Sequence, residues 1–292
     1  MGCLGQFYAL NSKNFILRLR HPWRTLFEIV ILPTFIGLLL GYSTKFNLKI
    51  DVQDVTVIAS QLLSIYLTNT VLTPIFFASP CVFLINQLVA DKETKMRETM
   101  KIMSLNQMAY SFSYYVSQLF LTLLMSVILF LAIWLPINSL EGQNISVLIF
   151  IGSWYHMLCG TLLFGMALQS MSMALSSMFT DSKLSAQVGP LLLLFPSSLS
   201  MVFIIKAIAD RFTAVVIDHS KIAPANNLQW GYFIPHFPYS VILLDFFFKD
   251  GAKLFLGLNI TYAYFALIAN VVGWYILYEY LDAVIPNAFG IR

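Results

Sequence analysis

Residues 90–105, ADKETKMRETMKIMSL, hold seven of the thirty-one charged residues of the chain and lie between two long apolar runs. A charged side chain at the centre of a bilayer costs on the order of 3 kcal/mol. In a chain that is 59% hydrophobic and 11% charged, such an island has to meet water while its flanks can cross lipid. A soluble domain would be about 45–50% apolar and about 25% charged. The 292 residues therefore read as an integral membrane protein, with charges gathered at 13–24, 91–101 and 210–221.

Working outward from the island, a helical crossing needs about 20 mostly apolar residues. Six spans meet that ruler, at roughly 25–43, 69–90, 109–135, 146–179, 184–208 and 254–281. The expected fold is an all-α membrane protein, a six-span helical bundle. Pro74 and Pro80 are expected to bend the second span, and Gly189, Pro190 and Pro196 to break the fifth. Residues 55–67, VTVIASQLLSIYL, are too short to cross and are expected along the outer surface. Residues 233–248 carry Pro235, His236, Pro238 and Asp245. Irregular backbone at membrane depth is tolerated only inside protein or against a watery cavity, so a re-entrant or interfacial hairpin is expected there. A seven-span count is the alternative.

With six spans, ten of the seventeen Lys and Arg fall on the side that holds both termini and the island. Five of the other seven lie in the long connection 206–253, where charge counting is weak. Both termini are therefore expected to be cytosolic, and Asn144-Ile145-Ser146 then falls in a short outer loop, chemically a glycosylation acceptor but too near the membrane to be used. Cys3, Cys81 and Cys159 have neither metal-like nor framework spacing. The start MGCLGQ departs from the myristoylation pattern at Gln6.

The pattern excludes several classes of function. Basic residues are not interleaved with aromatics as nucleic acid requires, so no nucleic-acid partner is expected. No phosphate-cradling G-x-x-x-x-G-K-[ST] and no H-E-x-x-H occurs, so no catalytic residue, metal ligand or cofactor is expected on the chain. Written as one helix, the island puts Met96, Met100 and Met103 in an apolar stripe, with Lys92, Glu93, Arg97 and Lys101 on a charged face. Glu93 and Arg97 stand at the spacing of a favourable i,i+4 pair. Such a helix either touches lipid beside the membrane or docks an adaptable Met-rich face on a partner. Ser172 with Ser176, and Ser170 with Ala174, allow close helix approach within the bundle or at a dimer seam. Glu28 is expected to snorkel to the interface. Asp245, between Leu244 and Phe246, is either functional or a helix cap.

Four stretches together resemble the membrane domain of ATP-binding cassette transporters of subfamily A. Lys13-Asn14-Phe15 with Arg18 and Arg20 resembles the basic approach to the first span of that family. The island resembles its E-K-E-x-K-x-K-E-x-M-x-x-M-G-L segment, with Glu93, Lys95, Arg97, Glu98, Met100 and Met103 matching and Ser104 where Gly is usual. Phe179-Thr180-Asp181-Ser182-Lys183 resembles its F-F-S-K turn. Trp274-Tyr275 through EYLDAVIPNAFGI resembles its W-Y-x-E-A-V-x-P-G-x-Y-G-I exit, with Asp282, Ala283, Val284, Pro286 and Gly290 aligned and Asn287 replacing Gly.

The resemblance implies a lipid-transporting membrane half. Its island would be a coupling helix against a nucleotide-binding domain or ATPase subunit, with Asp181 and Lys183 in a second contact. It also implies a second transmembrane half, membrane lipids as partners, and ATP acting only through the partner domain. The family places a large outer domain between its first two spans, where this chain has about 44–68, and a nucleotide-binding domain after the exit. This chain ends at Arg292, so the expectation is a half without its motor and without enzymatic activity. A non-transporting subunit and an unrelated channel are the alternatives.

Overall fold

A computed structural model describes residues 3–20, 22–48, 55–138, 154–217, 231–247, 253, 256 and 258–285. Lipid offers no partner to backbone N–H and C=O groups, so spanning segments must satisfy themselves as helices. Among the described residues every regular element is helical. Helix α1 (Cys3–Leu19) leads to α2 (Pro22–Leu26), a π-helical turn (Phe27–Ile31) and α3 (Leu32–Leu48). There follow α4 (Val55–Glu93), α5 (Met96–Ile102), α6 (Gln107–Asn138), α7 (Trp154–Met178), α8 (Ser182–Ile217), α9 (His236–Phe247) and α10 (Ile260–Val284). Six segments are long and apolar enough to cross a membrane: Pro22–Tyr42, Tyr66–Glu93, Gln107–Pro136, Trp154–Met178, Ser182–Lys206 and Ile260–Val284.

Two expectations from the sequence are corrected. Residues 55–67 are not a separate surface piece but the first third of α4. At 39 residues that helix is about 58 Å long, nearly twice the roughly 30 Å hydrocarbon layer. It runs through Pro74 and Pro80, and α8 likewise continues through Pro190 and Pro196 instead of breaking. Membrane helices keep such prolines because packed neighbours and hydroxyls absorb the lost backbone bond. The expected beginning of the fourth span, the Asn144 acceptor, residues 218–230 of the long connection, and Pro286, Asn287 and Gly290 of the exit lie outside the described residues.

Helix α7 forms the centre, against α4, α6, α9 and α10. Its small residues Ser170, Ser172, Ala174 and Ser176 are all buried, so they serve close packing inside the bundle. Gly37 and Gly41, one turn apart, do the same for α3 against α6. A Cβ at Gly37 would stand 2.5 Å from the Ala132 Cβ, and one at Gly41 2.9 Å from Pro136. The main apolar cluster fills the membrane part around Phe76, Phe77, Met125, Phe164 and Ile242. A second cluster, rich in tyrosine, sits at the charged end: Leu10, Leu84, Leu88, Tyr110, Tyr114, Tyr115, Met173 and Tyr278.

Helix α9 has 12 residues, about 18 Å, and cannot cross. Just ahead of it, the Tyr232 carbonyl accepts from Asn270 Nδ2 at 2.7 Å, ten residues into α10. Its Tyr239 ring stacks on Phe164, 4.2 Å between centroids, ten residues into α7. Its far end packs Phe246 on Trp154, the first residue of α7. The helix thus starts at mid-depth and runs to the end of the bundle opposite α5.

The tight α3–α6 contact predicts that Gly37→Ala lowers the melting temperature of the purified protein in detergent by several degrees. Gly273→Ala, where a Cβ meets nothing within 4 Å, should leave it unchanged or raise it slightly, since Ala favours helix over Gly by about 1 kcal/mol.

Candidate functional site

The island does not continue as one helix. Helix α4 stops at Glu93, and Lys95 takes a left-handed backbone, φ 57°. Helix α5 starts at Met96 and is itself closed at Ser104, φ 63°. There the Leu105 N–H reaches back to the Met100 carbonyl at 3.0 Å, the six-to-one bond of a Schellman closure. That left-handed position accounts for the Gly usual in the resembling family, because Gly adopts it without a Cβ penalty.

The two turns set which side chains face out. Ile102 is 86% exposed and Met103 73%, with Met96, Thr99, Lys95 and Glu93 also outward. Met100 is half-buried against the tyrosine-rich cluster, and Glu98 is half-buried. The three methionines of the expected stripe all lie between the two turns, Met96 and Met103 outward and Met100 inward. Arg97 faces inward, its side chain 4% exposed, and both its terminal nitrogens donate to the two carboxylate oxygens of Asp282, 2% exposed, in the last turn of α10. The expected Glu93–Arg97 pair does not form, because the left-handed turn between them breaks the i,i+4 geometry. Glu93 instead accepts from the Ser182 backbone N–H at 3.3 Å.

Asp282 gathers further donors. Gln107 Nε2, in the first turn of α6, donates to it at 2.9 Å. Lys92 Nζ lies 3.9 Å away and donates to the Ser176 carbonyl of α7 at 3.0 Å. Burial works against the charged guanidinium of Arg97, but its hydrogen bonds to Asp282 and the neighbouring charges outweigh this and hold it charged. A carboxylate buried among paired cations is stable only while each partner is present. Around it, Tyr110 and Tyr114 both donate to Asp91, at 2.8 and 2.6 Å. Ser111 donates to Glu279 at 2.6 Å. One carboxylate thus ties α4, α5 and α6 to the end of α10.

The second expected contact is a corner between α7 and α8. Asp181 caps α8 by accepting from the Lys183 N–H at 2.8 Å, and Asp181 and Lys183 are both exposed. Through the Glu93 bond to Ser182, this corner abuts the end of α4. Glu28 and Asp245 stand elsewhere. Glu28 does not reach out to the interface; it is buried in the π-helical turn, and Arg24 comes to it at 2.9 Å. Asp245, on α9 at the opposite end, acts electrostatically on His156 and Tyr264, and these two share a 2.9 Å hydrogen bond.

Sequence reading missed three parts of this platform. Helix α1 lies along α6, with Gln6 bonded to the Ser104 carbonyl and to the Asn106 N–H and Arg18 bonded to Gln118. Its signal was the apolar spacing of Leu10 and Leu17 with Asn14 in a stretch too polar to span. Asp282 as the partner of Arg97 and Gln107 as its third donor were also missed. The signal for Asp282 was that it and Glu279 stand as two carboxylates in the last turns of an otherwise apolar helix.

An all-helical, multi-pass integral membrane protein with an ordered charged platform at one end is the class these features define. Residues 42–285 match the family described as ABC-2 family transporter protein, and the chain belongs to that family. It is also similar to ABC transporter A family member 11 of Arabidopsis thaliana, 27% identical over 247 residues, which cover 76% of this chain and 24% of that protein. The chain thus spans about a quarter of the length of the curated relative it matches.

Removing one partner of a buried ion pair costs about 3–5 kcal/mol. Asp282→Asn should therefore release α5 from the bundle. Limited trypsin digestion at Lys95 should then accelerate at least about tenfold, a change of roughly 1.4 kcal/mol or more in local opening, while the far-ultraviolet circular dichroism stays helical.

Proposed function

We propose that this chain is the membrane-spanning part of a subfamily A ABC transporter. It moves lipids or other amphipathic molecules across a bilayer with ATP hydrolysed by a partner nucleotide-binding domain. The charged platform and both termini face the cytosol, in keeping with the Lys and Arg excess beside the first four spans. Helix α5 docks the ATPase through Met96, Ile102 and Met103, with Lys95 and Glu93 at the rim, and the Asp181–Lys183 corner is the second contact. Residues of α9 with the segment before it act as a re-entrant element on the outer side. Two such membrane halves enclose the path of the substrate.

The observation that carries this reading is the division of α5 into two faces. A short helix exposing Ile102 and Met103 to water holds an unfavourable apolar surface that a partner would cover. The same helix is fixed from behind by Arg97 on Asp282, so force applied to its outer face passes into α10 as well as α4 and α6. Arg97 is then a positioning residue, and Glu98 and Met100 support the helix from beneath. Met side chains adapt their packing, which suits a surface that must follow a moving domain.

Co-expression with an ATP-binding cassette ATPase tests the docking face. The purified assembly should show vanadate-sensitive ATP turnover, and Ile102→Glu with Met103→Glu should reduce turnover and co-purification at least about tenfold, the effect of about 1.4 kcal/mol of lost binding. Undiminished assembly in that double variant would refute docking through α5.

A further inference from the structure

The basic approach to the first span has no part in the platform around Asp282. Residues 3–31 carry Lys13, Arg18, Arg20 and Arg24 against a single acidic residue, Glu28. Helix α1 runs beside α6 from Gln6, bonded to the Asn106 N–H, to Arg18, bonded to Gln118. These two contacts lie about 18 Å apart along both helices. Arg18 and the corner after it therefore stand well away from α5, where the apolar segment Pro22–Tyr42 begins.

The corner holds one guanidinium open. The Thr25 hydroxyl donates to the Arg18 carbonyl at 2.8 Å and closes the junction of α1 with α2. Arg24 Nε donates to Glu28 in the π-helical turn that follows, at 2.9 Å. The Arg24 guanidinium also lies over the Phe83 ring of α4, 5.2 Å from its centroid. One edge and one face of the fork are thereby fixed. Its two terminal nitrogens meet no acceptor among the described residues, and the side chain is 58% exposed. Arg18 lies over the same ring at 4.3 Å, and Glu28 acts on it electrostatically. Two guanidinium charges thus share one aromatic ring and one carboxylate, and Arg20, exposed at the turn, adds a third. Cations gathered this closely repel one another, and a further anion offsets that repulsion.

The surroundings select the anion. Trp23 is 83% exposed, and Leu26, Phe27, Val30 and Ile31 of the first span are exposed beyond it. Tryptophan gathers at headgroup level, so the apolar residues beyond it face acyl chains. A guanidinium fork matches two phosphate oxygens, and phosphate at this level belongs to lipid. We propose that Arg24, with Arg20 beside it, binds the phosphate of an anionic phospholipid at the membrane boundary of the first span. The Arg24 terminal nitrogens donate to two phosphate oxygens, and the acyl chains lie along Trp23, Phe27 and Ile31. Because the cations outnumber Glu28, a headgroup of net negative charge is preferred to a zwitterionic one. The site depends on the first span crossing the membrane and not on docking through α5.

Native mass spectrometry of the full chain in detergent, with phosphatidylserine or phosphatidylcholine added, tests this. The first phosphatidylserine should bind at least about tenfold more tightly than phosphatidylcholine, and a large excess of inorganic phosphate should not displace it. Arg24→Gln should weaken phosphatidylserine binding about tenfold, the effect of one lost charge-assisted contact. Arg20→Gln, an exposed position that carries the test should the first variant fail to fold, should weaken it about fivefold. Lys206→Gln, an exposed cation at the end of the fifth crossing segment, should leave it unchanged. Equal affinity for the two lipids, displacement by inorganic phosphate, full affinity in either arginine variant, or an equal loss in Lys206→Gln would overturn the proposal.

Discussion

A hydrocarbon layer about 30 Å thick accepts neither unpaired backbone groups nor uncompensated charge, and this single constraint arranges the rest of the molecule. It makes every described element a helix, and it sends the charges of a 59% apolar chain to the ends of those helices. Where several helix ends meet, their charges must then neutralise one another. At the platform this happens on Asp282, where Arg97, Gln107 and Lys92 converge from three different elements. The constraint that produces the bundle therefore also produces the pair that orients α5.

Much of this was legible in the sequence. The bilayer cost of charge made residues 90–105 a water-facing island, and the length of the apolar runs gave six crossing helices. Periodicity alone misread the inside of the island. It treated 90–105 as one helix, whereas left-handed residues at Lys95 and Ser104 divide it into a helix end, α5 and a turn. Such a conformation at Lys or Ser carries no strong propensity signal, because these residues adopt it only when tertiary contacts hold it. The direction of Arg97 was illegible for a related reason: its partner is 185 residues away.

Length rules misled in the opposite sense for α4. Residues 55–67 were judged too short to cross, but nothing obliges a helix to stop at the membrane boundary, and this one continues for 39 residues. The prolines of the fifth span were likewise given too much weight, since Pro190 and Pro196 sit inside an unbroken helix. Close helix contacts were only partly seen. The serine spacing of α7 was recognised, while the Gly37 and Gly41 pair that lets α3 lie on α6 passed as ordinary apolar sequence.

The central claim is that a buried carboxylate in the last helix holds α5 in place. A double-mutant cycle on unfolding free energy, using Arg97→Met, Asp282→Asn and the pair together, measures that interaction apart from the packing of either residue. The account predicts a coupling of about 2–3 kcal/mol, with the double variant no less stable than either single one. A coupling below about 0.5 kcal/mol, the ordinary limit for independent sites, would contradict it.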